Sequence, residues 1–140
     1  MKRIFLALAT SVLFIWLLLP VPLHNEKGLF NKITGLIWCT SEASCLHETG
    51  HGLDRRAGWI SHSEEFGGAV QVYVMSEFQR EHPSYLAARI VMMPGALVWN
   101  GWAEDTQAEI YATIFELSDG QEENMPEIFR KFYDWPREGE

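Results

Sequence analysis

The chain has 140 residues, with 11 Lys and Arg against 19 Asp and Glu, a formal charge of -8, 47% apolar residues and two cysteines. That length holds one domain and little more. The negative balance offers no basic field for a phosphate backbone, so no nucleic-acid partner is expected; the apolar content argues against disorder, and two cysteines cannot build a disulfide-rich scaffold.

Ile4–Leu19 carries no charge and follows Lys2 and Arg3, the composition of a membrane-directed segment. As a helix it spans about 24 Å, short of a hydrocarbon core of about 30 Å; extension to Leu23 covers the difference across Pro20 and Pro22. No small-x-small cleavage pattern follows it. Residues 1–25 therefore read as a signal anchor or transmembrane segment, with a cleaved signal peptide as the alternative. Lys2 and Arg3 favour an N-terminus on the cytoplasmic side. Residues 26–140 then form a membrane-anchored extracytoplasmic domain, or a secreted one if the segment is removed.

No linker divides the remainder, which reads as one mainly α domain, α+β with little sheet. Gly28–Trp38 suits a short strand or an extended lead-in. Ser41 caps a helix with Glu42 in its first turn, running through His47-Glu48-Thr49-Gly50-His51 to about Arg56, with Gly58 just beyond. Ser63, with Glu64 and Glu65, starts a second helix carrying Phe66, Val70, Tyr73, Val74 and Phe78 at helical spacing. Val70–Met75 alone suits a strand as well, and its flanks favour the helix. A third helix is expected at Tyr85–Met93, stopped by Pro94-Gly95, and Leu97–Trp102 is a loop or short extended piece. A fourth begins at Asp105 or Thr106, with Ile110, Ile114 and Leu117 on one side. Pro126 opens a fifth that takes in Glu127–Trp135.

The chemistry lies in His47-Glu48-Thr49-Gly50-His51. Histidines at i and i+4 project from one helix face about a turn apart, so both imidazoles can reach a single Zn2+ at about 2.0–2.1 Å. Glu48, beside the first ligand, suits a general base acting on a zinc-bound water. Gly50 costs the helix about 1 kcal/mol relative to Ala, a cost tolerated for close packing or access. A catalytic zinc needs a third protein ligand and one open position. No third His follows the motif at metzincin spacing: position 54 is Asp and position 57 is Ala. Met92-Met93 is accordingly not read as a Met-turn.

Two segments, HETGHGLD and Ala108–Phe115 (AEIYATIF), resemble the gluzincin metallopeptidases, the thermolysin-like and lethal-factor-like group. The resemblance covers about eight residues at each site. It implies a minimal zincin-like domain, an active-site helix and a glutamate helix, with His47, His51 and Glu109 as zinc ligands and Glu48 as base. Such domains have a sheet before the active-site helix, whereas only about fifteen domain residues precede it here, so the edge strand that aligns substrate is missing or supplied later. The tyrosine that assists the oxyanion in the lethal-factor-like branch would fall near Trp102; Tyr73, Tyr85 and Tyr111 are the substitutes. Residue type also leaves His62, Glu64, Glu65 and Glu104 as rival third ligands.

Asp54 shares the helix face of His47 and His51, where it can orient a ligand imidazole from behind; otherwise it is a surface carboxylate pairing with Arg55, Arg56 or a lysine. Cys39 and Cys45 flank the start of the helix, as a disulfide if the domain is outside the cell or as two buried thiols. The expected function is zinc-dependent hydrolysis of a peptide or protein substrate. The alternatives are a non-catalytic zinc-binding ectodomain, or a membrane-tethered helical interaction module with a chance HExxH.

Overall fold

The computed structural model describes residues 28–93 and 104–135. They form a mainly helical unit with one two-stranded sheet. The signal anchor expected at residues 1–25 and the loop expected at Leu97–Trp102 lie outside the described residues. Among the described residues no helix is long and apolar enough to cross a membrane.

Strands β1 (Gly28–Phe30) and β2 (Ile37–Cys39) pair antiparallel, Leu29 opposite Trp38. The turn between them follows from Asn31, whose Oδ1 accepts from the backbone N–H groups of Ile33 (2.9 Å) and Thr34 (3.0 Å). Gly35 closes it at φ +75, a left-handed conformation that favours glycine. The lead-in to the first helix is thus a complete hairpin. A disulfide between Cys39 and Cys45, with Cα atoms 5.1 Å apart, ties β2 to the first turn of that helix.

Helix α1 (Glu42–Arg56) starts on a capping box: Ser41 Oγ accepts from Ser44 N, and Ser44 Oγ accepts from Ser41 N at 3.0 Å. Helix α2 (Glu64–Phe78), capped by Ser63, includes Val70–Met75. Helix α3 (Tyr85–Val91) is capped by Ser84, whose N–H donates to Glu77 Oε2 at 2.9 Å and so fastens the end of α2 to the start of α3. Helix α4 (Glu104–Leu117) ends where Gly120, at φ +64, donates its N–H to the Phe115 carbonyl.

The last helix is shorter than its sequence suggests. Helix α5 spans only Glu127–Arg130. The following residues leave the helical path because side-chain anchors on α4 hold them: Tyr133 Oη donates to the Tyr111 carbonyl (2.7 Å), and Tyr111 Oη donates to the Phe132 carbonyl (2.9 Å). Tyr133 stacks on Tyr111 at 4.1 Å between ring centroids, and Trp135 stacks on Phe115.

The core lies beneath this lock. Phe66 and Val70 of α2, Leu86 and Ile90 of α3, Ile110, Tyr111 and Ile114 of α4, and Phe129 of α5 are all buried. Leu117 is 37% exposed; Tyr111 and Phe115 take the core positions instead. Helix α1 lies against α4 at Gly50. A Cβ placed on Gly50 would come within 2.7 Å of Ala112 Cα, so glycine is what lets the two backbones meet.

Candidate metal centre

The close approach at Gly50 and Ala112 sets one face of α4 over the His47–His51 face of α1. Glu109, one turn before Ala112, places its carboxylate between the two rings. His47 Nε2 lies 3.2 Å from Glu109 Oε2, and His51 Nε2 lies 3.3 Å from Glu109 Oε1. One ligand atom from each of the three side chains falls within 4.8 Å of the others.

These spacings fit a zinc-sized ion. Four ligands at about 2.0–2.1 Å in tetrahedral array have edges of about 3.3–3.4 Å. Each His-to-Glu109 distance, measured to a different carboxylate oxygen, is close to that edge, and the donor set of two imidazoles and one carboxylate suits zinc.

The ring orientations also have physical causes. His47 Nδ1 lies 3.0 Å from Glu116 Oε2, so an Nδ1–H donated to this carboxylate leaves Nε2 with its lone pair facing Glu109 and His51. The two histidine rings meet edge to face, 5.0 Å between centroids. Phe30 of β1 stacks on His51 and fixes its other side.

Burial lowers the His47 pKa, but hydrogen bonds to Glu109 and Glu116 and their charges outweigh it and hold it above its ordinary 6.5. Hydrogen bonds from His47 and His51 keep the Glu109 carboxyl well below its ordinary 4.5, against the opposing effect of burial.

Glu48 is 7% exposed and points along β1: a Cβ on Gly28 would lie 2.7 Å from Glu48 Oε1. A side chain at position 28 would have to displace the Glu48 side chain from this position. A cleft of about 980 Å³ opens over the site, walled by Gly28, Leu29 and Phe30 on one side and by Asp105, Glu109 and Glu116 on the other. The short strand before helix α1 therefore does border the cleft. Lys32 and Asp105 pair across the cleft, Nζ to Oδ1 2.6 Å.

His47, Glu48, His51 and Glu109 come together, whereas Asp54 does not join them. Its carboxylate is fully buried and accepts from Ser61 N (2.9 Å) and Ser61 Oγ (2.6 Å), so it fastens the turn Ile60–His62 to the end of α1. Helix periodicity puts Asp54 on the histidine face, but the returning chain covers that face three residues below His51. Among the described residues its hydrogen bonds reach no imidazole.

Of the rival ligands, His62 stacks on Trp59, Glu65 pairs with Lys131, and Glu64 is exposed on α2. The Glu104 side chain lies outside the described residues. The Tyr111 and Tyr73 hydroxyls are engaged elsewhere, with the Phe132 carbonyl and with Ser84.

Glu116 is the residue that the sequence reading missed. It follows Glu109 by seven positions, two helical turns, and that spacing was the available signal. No protein-family model, no curated protein and no solved structure matches this chain.

Proposed function

We propose that this chain is a zinc-dependent peptidase with a minimal zincin-like domain, tethered by residues 1–25 and facing outside the cytoplasm. The observation that carries the reading is the convergence of His47, His51 and Glu109 beside the Glu48 carboxylate in an open cleft. The two Nε2 atoms and a Glu109 oxygen would hold the ion, the three protein ligands a catalytic zinc carries. Zinc, when bound, supplies Lewis acidity towards a carbonyl and acidifies water.

The chain's own residues do the rest. Glu48 accepts a proton from the attacking water and returns it to the leaving amine. Its carboxylate is largely buried and lies close to Gly28 of β1. Glu116 keeps His47 in the tautomer whose Nε2 can bind a metal. Among the described residues β1 pairs only with β2, which leaves its other edge for an extended peptide to add as a strand. The Cys39–Cys45 disulfide favours an oxidising compartment, in keeping with the apolar N-terminal segment.

The test uses the full chain in detergent, purified without chelator. Zinc content is measured beside cleavage of a mixed peptide library read by mass spectrometry. Wild type is expected to hold one zinc and cleave; Glu48→Gln keeps the zinc and loses cleavage; His47→Ala loses both. A folded wild type that takes up no added zinc would sink the reading. Zinc without cleavage would leave a non-catalytic zinc-binding ectodomain in its place.

A further inference from the structure

A second cavity, of about 360 Å³, shares His47 and Glu109 with the cleft but not Glu48. Its remaining walls include Arg89, Met92 and Met93 at the end of α3 and Thr113 of α4. We infer that this cavity takes an acidic side chain of the substrate, glutamate by preference, with Arg89 as the residue that selects it. The inference rests on the peptidase reading and adds its substrate class.

Two groups on the cavity wall lack partners among the described residues. Arg89 is exposed and makes no hydrogen bond or ion pair with any described residue, whereas Lys32, Arg80 and Lys131 each hold a carboxylate. A guanidinium offers a planar fork of donors that matches a carboxylate in two places.

Thr113 is the second. It is 1% exposed, yet its Oγ1 has no hydrogen-bond partner. Helical hydroxyls elsewhere in this chain satisfy themselves on the preceding turn: Thr49 Oγ1 donates to the Cys45 carbonyl and Ser118 Oγ to the Ile114 carbonyl, both at 2.7 Å. Thr113 departs from that habit at a position lining the cavity; its Oγ1 is closed to solvent in the empty cavity, so it meets a bound carboxylate only by turning about its Cα–Cβ bond.

Between these polar points lie Met92 and Met93, flexible apolar walls that suit a methylene stem. An aliphatic stem ending in a carboxylate describes glutamate; aspartate has one methylene fewer to span the same wall. Because His47 and Glu109 border both cavities, a side chain held here belongs to a residue next to the bond presented to Glu48.

The experiment uses the zinc-loaded full chain and three dipeptide hydroxamates, identical except for Glu, Leu or Lys at the variable position. Binding is measured by calorimetry, with zinc content determined on the same samples. Wild type is expected to bind the Glu probe about ten- to a hundred-fold tighter than the Leu probe, the range of a charge-assisted hydrogen bond. Arg89→Ala removes that preference, and Arg89→Glu transfers it to the Lys probe, both with zinc retained. Thr113→Val, which removes a hydroxyl that the free protein leaves unpaired, weakens the Glu probe alone and does not lower Tm.

Equal affinity for the three probes in wild type would overturn this inference and leave the peptidase reading standing. So would an Arg89→Ala loss that falls equally on all three. Failure of every probe to bind zinc-loaded protein would overturn both.

Discussion

Helix α1 carries acidic chemistry at two places, and they are built to opposite specifications. In the cleft it meets Glu109 and Glu116, whose side chains are 55% and 23% exposed. Near its last turn, Asp54 is fully buried with both oxygens held by Ser61. A carboxylate that must exchange protons for an ion has to remain within reach of solvent. A carboxylate that holds a turn in place is sealed off, because water would compete for its hydrogen bonds. The same residue chemistry thus serves the proposed metal binding at one site and architecture at the other.

The sharpest way to break this comparison is at the sealed site. Asp54→Ala strands two Ser61 donors in the interior and should cost about 3 kcal/mol of stability, measured by urea denaturation. Zinc affinity of the remaining folded protein should stay near wild type. A variant with full stability and no zinc would reverse the roles assigned to the two sites.

Glu116→Gln probes the open site. Loss of the anionic partner of His47 should weaken zinc binding about 10- to 100-fold, measured by competition with a chromogenic chelator. Its effect on unfolding free energy should stay within about 0.5 kcal/mol, since the side chain is at the cleft edge. Equal damage to stability and zinc affinity would merge the two classes of carboxylate.

Gly50→Ala acts on the crossing that joins them. Alanine gains about 1 kcal/mol in helix propensity, but its Cβ meets the Ala112 backbone, an overpacking that costs about 1–3 kcal/mol. The net expectation is about 1 kcal/mol of destabilisation, together with weaker zinc binding as Glu109 is pushed away from the histidines. A more stable protein with full zinc affinity would show that the helices need no such close approach.

The smallest effect is in pH. In the metal-free protein the raised His47 pKa gives stability that is full below 6.5 and lost as pH rises through the higher folded value. The lowered Glu109 pKa gives stability present above 4.5 and lost as pH falls through its depressed folded value. Zinc has the opposite preference on the histidine side, because it must displace the His47 proton. Its affinity should rise with pH up to the His47 pKa, by at most about tenfold per pH unit for this one proton. A pH series of Tm with and without zinc checks the crossing of the two trends, which a flat pair of curves would deny.

Much of this arrangement is legible locally. Ser41, Ser63 and Ser84 mark helix starts because a hydroxyl caps N–H groups only a few residues away. The i, i+4 spacing of His47 and His51 determines a shared face because the helix repeat requires it. Mainly helical architecture follows from the same periodicities. Glu109 entered through a likeness of motif, and spacing alone left other carboxylates in contention.

What only the tertiary structure decided depends on residues far apart in sequence. Asp54 keeps its helical face but finds Ser61 there, because the chain turns back after Gly58. The apolar run after Arg130 abandons its helix for hydrogen bonds and ring stacking with Tyr111 and Phe115 on α4. Glu116 reaches His47 only because Gly50 lets α1 and α4 touch. Periodicity fixes which side of a helix a residue occupies. What waits on that side is set by packing between elements, where burial and non-local hydrogen bonds outweigh the small energies of local preference.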